Sequence, residues 1–335
     1  MFPIKRALLI INRKAGTGVP GQVADQLALL FKQSLDQLSE VKIESVADHA
    51  EARTCAAQFF SKSEAPAFVV VGGGGGTLRG VIEGICDSRS PAKLPGPHEV
   101  RIATLRMGSG NLLARQLGVP RDPIVALDGL LTNLKADRTV PCCVMRCETW
   151  TSSGKTVIHH AVSMGGLGQF GRVPSDLARR HARFPFVHKT AAWFGIEKVN
   201  NVEYVLTLFL RSLSCLLPFH RAEMVEVQFH DQKERFRLLS GIVMNFPIDA
   251  VPLNPRVTVV DEALSVYLVA AQPLIPRLRH IRIEKSQRLE MRIVDRNRVE
   301  FFLDEDPVTT YGQLSLEVVG SIAFVPGPDY QGDSA

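Results

Sequence analysis

A run of five glycines follows a short apolar segment in residues 68–85, which read FVVVGGGGGTLRGVIEGI. Glycine loses more backbone entropy on folding than any other residue, so such a run is unfavourable unless the backbone must come close to another group. A near-continuous apolar run is typical of a strand that is covered on both faces of a parallel sheet. The segment therefore predicts a buried strand over residues 67–71, a turn of bare backbone, and a helix over residues 77–86.

Strands and helices alternate throughout the first 137 residues. The patterns predict further strands at residues 5–11, 41–46 and 100–105, and further helices at residues 22–38, at residues 50–62 and from Leu112. Such alternation favours a mainly parallel sheet with helices on both faces. Residues 1–137 are therefore expected to form a three-layer α/β domain.

The pattern changes from residue 138 onward, where short β-rich runs replace the alternation. These runs predict a second, mainly antiparallel β-sandwich domain over residues 138–309, with a mixed helical insertion around residues 174–218. Two domains are also expected from length, because 335 residues exceed what one hydrophobic core usually organises. The C-terminal segment near residues 310–325 is a candidate to return to the first domain.

Composition points to a soluble globular protein, with 45% apolar and 22% charged residues. No apolar run reaches the length of a membrane span, and the six cysteines show no CxxC pair or metal-ligand spacing. We therefore predict a cytoplasmic protein with reduced thiols. Two basic stretches, residues 171–198 and 276–288, fit an anionic membrane surface or nucleic acid, and a solvated helix face over core aromatics is the alternative.

Three turns in the first domain share one design, in which an apolar strand leads through glycines and small polar residues into a helix. They lie at residues 12–16 (NRKAG), 72–77 (GGGGGT) and 108–111 (GSGN). Successive backbone N–H groups in such turns bind anions, and the following helix N-terminus adds a partial positive charge. The three turns together predict a nucleotide-binding domain. No Walker A motif is present, and the GxGxxG match at residues 166–171 lacks the later acidic residue of a dinucleotide site.

These segments resemble, in order along the chain, the motifs of the diacylglycerol kinase catalytic-domain superfamily. That superfamily includes bacterial lipid kinases and the sphingosine and ceramide kinases, with NAD kinases as distant relatives. The matching segments are NRKAG at 12–16 (family NPxSG), GGGGT at 73–77 (GGDGT), GSGNLLARQLGVP at 108–120 (GTGNDFARxLGIP), SMGGLG at 163–168 (a glycine-rich strand end), DEALSVYLV at 261–269 (DGxLxVxxV) and DED at 304–306 (DGE).

The resemblance implies a two-domain fold in which ATP and a lipid acceptor bind between the domains. The γ-phosphoryl group would pass to a lipid hydroxyl, such as that of diacylglycerol, with the assistance of Mg²⁺. Catalytic roles are then expected for Asp306 and Asp304, and a metal-binding role for Asp261. Nucleotide contacts are expected from Asn12, Lys14, Gly16, Gly73, Gly74, Gly75, Gly76, Thr77, Gly108, Ser109 and Asn111. The expected location is cytoplasmic and peripheral at a membrane, without nucleic acid, and a homodimer is one alternative for the assembly.

Departures from the family motifs leave the activity open. Gly75 stands where GGDGT has its aspartate, and Gly80 stands where a glutamate is often found. Losing such a carboxylate usually costs orders of magnitude in rate. The alternatives are an active lipid kinase with Asp306 as general base, a catalytically impaired module that binds nucleotide or lipid, and a NAD kinase-like enzyme with a soluble substrate. Glu83 is expected to form a surface pair with Arg79 rather than replace the missing carboxylates.

Two adjacent histidines follow in the second domain. His159 and His160 have no serine or aspartate arranged with them in the manner of a catalytic triad. Packing within a strand is the interpretation that we favour for both side chains.

Overall fold

The computed structural model describes residues 3–15, 21–89, 94–108, 111–176, 179, 207, 222–248, 253, 257–272, 276–295, 298–304 and 306–332. Gly16, Ser109 and most of the predicted insertion and of the basic stretch at 171–198 lie outside these residues.

The first part of the chain alternates between strands and helices, as predicted. In chain order the elements are β1 (Arg6–Asn12), α1 (Gly21–Ser34), β2 (Glu40–Val46), α2 (His49–Ser61), β3 (Ala67–Gly73), α3 (Gly75–Asp87), β4 (Val100–Arg106), α4 (Leu112–Gln116) and α5 (Pro123–Lys135). The four strands are parallel in the order β2-β1-β3-β4. Every residue of β1 and β3 is buried, which explains why both strands are nearly continuous apolar runs.

Helices α2 and α3 lie close together on one face of this sheet. A β-carbon added at Gly80 or Gly84 of α3 would overlap a main-chain carbonyl of α2, that of His49 or that of Arg53 respectively. The missing side chains therefore allow the two backbones to approach each other. This approach positions the first turn of α2 beside the N-terminal half of α3.

The second part of the chain is built from antiparallel strands. They are β5 (Val140–Trp150), β6 (Thr156–Ala161), β7 (Met164–Leu167), β8 (Glu223–Phe229), β9 (Gln232–Met244), β10 (Ala263–Ala270), β11 (Arg277–Glu284), β12 (Arg288–Ile293), β13 (Arg298–Leu303), β14 (Asp306–Tyr311) and β15 (Gln313–Phe324), with a short helix α6 (Gly168–Gly171). All pairings among them are antiparallel. The predicted fold class is therefore confirmed, with a parallel sheet first and antiparallel strands after it.

Strand β15 joins the two parts into one continuous sheet. It is antiparallel to β5 along most of its length, and its last residues pair in parallel with β4, Ala323 with Arg101 and Phe324 with Ile102. The hydrophobic residues nevertheless form two clusters. Cys142 belongs to the cluster that contains the core of the parallel sheet and the adjacent Cys143 to the cluster among the antiparallel strands, because alternate residues of β5 point to opposite faces. The predicted domain limits stay a prediction.

The basic stretch at residues 276–288 forms β11 and the start of β12, so the alternative of a helix face does not hold for it. In the part of the chain that the structure describes, no helix combines the length and the apolar character needed to cross a membrane. The described cysteines, Cys55, Cys86, Cys142, Cys143 and Cys147, are free thiols.

Candidate nucleotide-binding cleft

Described residues of all three predicted turns meet at one edge of the parallel sheet. Ile11 of β1 lies beside Gly72 of β3, and Gly73 of β3 lies beside Arg106 of β4, so the three strands end together. A cleft of about 600 Å³ opens at this edge. It is lined by Asn12, Ala15, Asp48, His49, Ala50, Gly74, Gly75, Gly76, Thr77, Arg79, Gly108, Asp306 and Pro307.

The N-terminus of α3 lines this cleft. The helix begins at Gly75, so Gly75, Gly76 and Thr77 form its first turn instead of a loop. Gly74, at the N-cap position, has no side chain to cap the helix. The first N–H groups of a helix have no partner within it and carry a partial positive charge. The first turn of α3 therefore presents unpaired donors to the cleft.

Side chains of the other turns mostly hold the turns together. The amide of Asn12 donates to Thr77 Oγ1 over 2.9 Å and accepts from the main-chain N–H of Lys14 over 2.9 Å, which fixes the β1 turn to α3. Asn111 has a left-handed backbone with φ of 52° and bonds to the main chain of Gly108 through both amide atoms. Asn is one of the few residues that adopt this conformation readily. The predicted asparagines thus shape the cleft through contacts within the protein, while the side chain of Lys14 is exposed.

The two predicted catalytic aspartates occupy different surroundings. Asp304 is fully buried and accepts hydrogen bonds from the main-chain N–H groups of Val162 at 2.9 Å, Ser163 at 2.8 Å and Met164 at 3.2 Å. It also accepts one from the Ser163 hydroxyl at 2.5 Å. These bonds use both carboxylate oxygens to tie the end of β13 to the start of β7. Asp304 lies beside a small cavity of about 20 Å³ that Gly73 and Asn111 also line, and it does not reach the main cleft.

Asp306, by contrast, lines the main cleft. Its side chain is one-third exposed, and its Oδ2 lies 3.3 Å from Nη2 of Arg79. Burial raises the pKa of this carboxyl above its ordinary value, and the positive charge of Arg79 opposes that rise. Asp306 is therefore the described carboxylate that combines access to the cleft, a raised pKa and a position at the N-terminus of α3.

The turn between β13 and β14 packs tightly on the first turn of α3. A β-carbon at Gly75 would overlap the main-chain carbonyl of Asp304, and one at Gly76 would overlap the carboxylate of Asp306. The space that a side chain would need at either glycine is therefore filled by atoms of the two aspartates. Gly75, where the family motif has an aspartate, has no room for that side chain in this packing.

Glu83 corrects the sequence interpretation. It was expected on the surface, but only 1% of its side chain is exposed. Its carboxylate is surrounded by His49 Nε2 at 3.0 Å, Arg53 Nη1 at 2.9 Å, His159 Nδ1 at 3.5 Å, Arg79 Nε at 3.9 Å and the main-chain N–H of His160 at 3.3 Å. The two nearby histidines and the charge of Arg79 hold the pKa of Glu83 far below its ordinary value, in spite of its burial.

The two histidines of β6 also need a correction. Simple packing within a strand was the interpretation from sequence, but the His159 side chain of β6 contacts the Glu83 carboxylate. His160 is buried, and burial lowers its pKa to about 4. The His159 side chain and the His160 main-chain N–H therefore join a polar network with α2 and α3.

The predicted metal ligand is not part of the cleft. Oδ2 of Asp261 accepts hydrogen bonds from the main-chain N–H of Thr258 at 2.6 Å and from its hydroxyl at 3.1 Å, which closes a turn before β10. Asp261 is not among the residues that line the cleft. Within the described ranges, no group of three or more histidine, cysteine or acidic side chains is arranged to hold a metal ion.

Comparison with known proteins shows what this chain is similar to. Residues 6–141 match the model of the diacylglycerol kinase catalytic domain. None of the curated proteins matches the chain in sequence. The solved structures that resemble it include a diacylglycerol kinase from Bacillus anthracis, at 17% identity and a TM-score of 0.59, covering 97% of this chain and 98% of that one.

Two further structures show the range of the fold. A putative diacylglycerol kinase from Bacillus anthracis has 16% identity and a TM-score of 0.62, with 97% of this chain and 98% of that chain covered. Yeast NADH kinase, solved in complex with NADH, has 10% identity and a TM-score of 0.57, with 97% and 84% covered. The predicted resemblance is thus confirmed: residues 6–141 match the diacylglycerol kinase catalytic domain, and the whole chain has a fold similar to that of diacylglycerol kinase-like proteins and of a NADH kinase.

Proposed function

We propose that this chain is an ATP-dependent lipid kinase that transfers the γ-phosphoryl group to a lipid hydroxyl such as that of diacylglycerol. The observation that carries the proposal is the position of Asp306, a cleft carboxylate with a raised pKa, beside the uncapped first turn of α3. This juxtaposition brings a proton acceptor next to a phosphate-binding helix terminus. Phosphoryl transfer needs both groups in one cleft.

In this proposal, different cleft residues have different roles in phosphoryl transfer. The N–H groups of the first turn of α3, with Arg79 and His49 behind them, bind and orient the phosphates. Asp306 accepts the proton of the lipid hydroxyl while the hydroxyl oxygen bonds to the γ-phosphorus and the bond from that phosphorus to the ADP oxygen breaks. Mg²⁺, when bound, would neutralise charge on the phosphate oxygens; it needs only one or two protein carboxylates, and Asp48 of the cleft lining would hold it while Asp306 accepts the proton.

A second candidate function is a catalytically impaired module that binds nucleotide or lipid. The observation in its favour is the absence of a carboxylate at Gly75, together with the ion pair that ties Asp306 to Arg79. An arginine partner stabilises the carboxylate anion and so makes it a weaker base. The two candidates differ in turnover and share nucleotide binding.

A transfer assay separates them. The purified chain is incubated with ATP, Mg²⁺ and a total lipid extract, and mass spectrometry identifies lipids that gain a phosphoryl group. The active-kinase proposal expects a phosphorylated lipid with the wild type and none with Asp306→Asn. Asp231→Asn, which changes an exposed aspartate in the β8–β9 turn, is the matched control and should retain activity. ATP binding without transfer would support the impaired module instead, and phosphorylation of a soluble acceptor only would overturn the lipid assignment.

We also propose that the chain meets its substrate at the surface of an anionic membrane. The basic residues of β11 support this, since Arg277, His280 and Arg282 are exposed on an edge strand beside the exposed Leu278. Co-flotation with vesicles that contain an anionic lipid, at low and at high salt, tests the idea. Binding should be present at low salt and lost at high salt, and no binding at either salt would contradict it.

A further inference from the structure

The described lining of the cleft contains two basic side chains, His49 and Arg79. They come from different elements, since His49 begins α2 and Arg79 lies one turn into α3. A flexible basic side chain loses rotamer freedom when it binds a ligand, and this entropy loss weakens binding unless another group already holds the side chain. What fixes these two side chains therefore bears directly on how the cleft binds an anion.

Both of them contact the same carboxylate, which lies behind the cleft. Glu83 Oε2 is 3.0 Å from His49 Nε2, and Glu83 Oε1 is 3.9 Å from Arg79 Nε. Glu83 itself is buried and does not line the cleft. Its carboxylate thus contacts the two basic side chains from outside the cleft lining.

The other charges around Glu83 show that its position is built into the packing. Arg53 of α2 bonds to Glu83 and also to Asp87 of α3, with distances of 2.9 Å and 2.6 Å. On β6, the His159 side chain and the main-chain N–H of His160 face the same carboxylate. Arg79, which contacts Glu83, also forms an ion pair with Asp306. A buried carboxylate with this many partners is held in one place, because any movement would leave a donor or a charge unpaired.

We propose that Glu83 is a positioning residue of the cleft, which holds His49 and Arg79 in the orientation that receives the phosphates of the nucleotide. This inference rests on the proposed nucleotide-binding function. It adds a residue that the family motifs do not provide here, since the motif positions at Gly75 and Gly80 carry no carboxylate. Glu83 acts through these two side chains and does not touch the nucleotide.

Binding of a graded set of ligands tests the proposal. Affinities of ATP, ADP and adenosine are measured by calorimetry for the wild type, Glu83→Gln and Asp87→Asn. Asp87→Asn is the matched control, because it also weakens the Arg53 tie between α2 and α3 but leaves His49 and Arg79 untouched. We expect Glu83→Gln to weaken ATP binding by roughly tenfold or more, ADP binding less and adenosine binding not at all, because only the phosphates contact His49 and Arg79 in this proposal.

The outcomes separate the inference from the function on which it rests. Wild-type binding of ATP reports on the proposed function, and its absence would remove both. If the wild type binds ATP and Glu83→Gln binds it equally well, or if Glu83→Gln weakens all three ligands by the same factor, the positioning role is wrong and the function stands. An equal loss in Asp87→Asn would also overturn the role, because Glu83 would then only tie two helices together. Should Glu83→Gln fail to fold, the double variant Arg53→Gln, Glu83→Gln removes one cation together with the anion and gives the same comparison.

Discussion

Gly75 packs directly against the main-chain carbonyl of Asp304, so that no side chain fits between the first turn of α3 and the β13–β14 turn. From sequence alone, Gly75→Asp is the natural way to restore the family motif. The packing implies the opposite outcome. The space that a carboxylate at this position would need is already filled by the segment that brings Asp306 into the cleft.

We therefore expect Gly75→Ala to destabilise the protein. A β-carbon there forces the β13–β14 turn away from α3, and overpacking of this kind costs about 1–3 kcal/mol. Gly74→Ala is the control, because a β-carbon at Gly74 meets only Gly108 Cα, at an ordinary 3.5 Å. Urea denaturation of both variants measures the difference. Equal stability of the two variants would show that the turn yields easily, and Gly75→Asp would then be worth testing for restored turnover.

The strand ends and the glycine turns could be predicted because they depend on local signals. Short apolar runs and glycines mark the ends of β1, β3 and β4, and parallel neighbours bring those ends to one edge. Helix α5 was missed, although Asp122 caps it and Pro123 begins it. The capping aspartate and the proline are local signals too, so α5 could have been predicted from the sequence.

The environment of the acidic residues could not be predicted in the same way. Asp304 and Asp306 are two positions apart, yet one is tied to β7 and the other lines the cleft. Glu83 is buried because α2 docks over Gly80 and Gly84 and because β6 contacts its carboxylate as well. The four-residue spacing of Gly76, Gly80 and Gly84 was the one signal in the sequence that α3 has a close neighbour. Which charges that neighbour would contribute depends on tertiary packing.

Asp304→Asn is expected to cost stability rather than chemistry. An amide has one acceptor oxygen and would turn its NH₂ group toward main-chain N–H donors of residues 162–164, leaving buried donors unpaired. A loss of about 2–4 kcal/mol in the free energy of unfolding is expected, since several hydrogen bonds to a buried charge are affected. The measurement is urea denaturation, with Asp306→Asn as the partly exposed comparison. A variant as stable as the wild type but inactive would reassign Asp304 to catalysis.

The proton acceptor role of Asp306 predicts how Arg79 affects the pH dependence of turnover. The base works only when it is deprotonated, so the rate rises with pH through the pKa of Asp306, which burial places above its ordinary value of 3.8. Arg79 lowers that pKa, so Arg79→Met should raise it and move the acidic limb of kcat to higher pH. The profile is measured at saturating ATP, because the same variant should weaken phosphate binding. An acidic limb at the same pH in both proteins would show that another group is the base.

His160 predicts a loss of stability in mildly acidic solution. Burial lowers its pKa from 6.5 to about 4, so between these values the unfolded chain binds a proton that the folded protein does not. The stabilising contribution is complete above pH 6.5 and is lost as the pH falls toward 4, by up to about 3 kcal/mol. His160→Gln should therefore flatten the dependence of the unfolding free energy on pH across this window, measured by urea denaturation at several pH values. His98→Gln makes the same change at an exposed position, and an equal flattening there would remove burial of His160 as the cause.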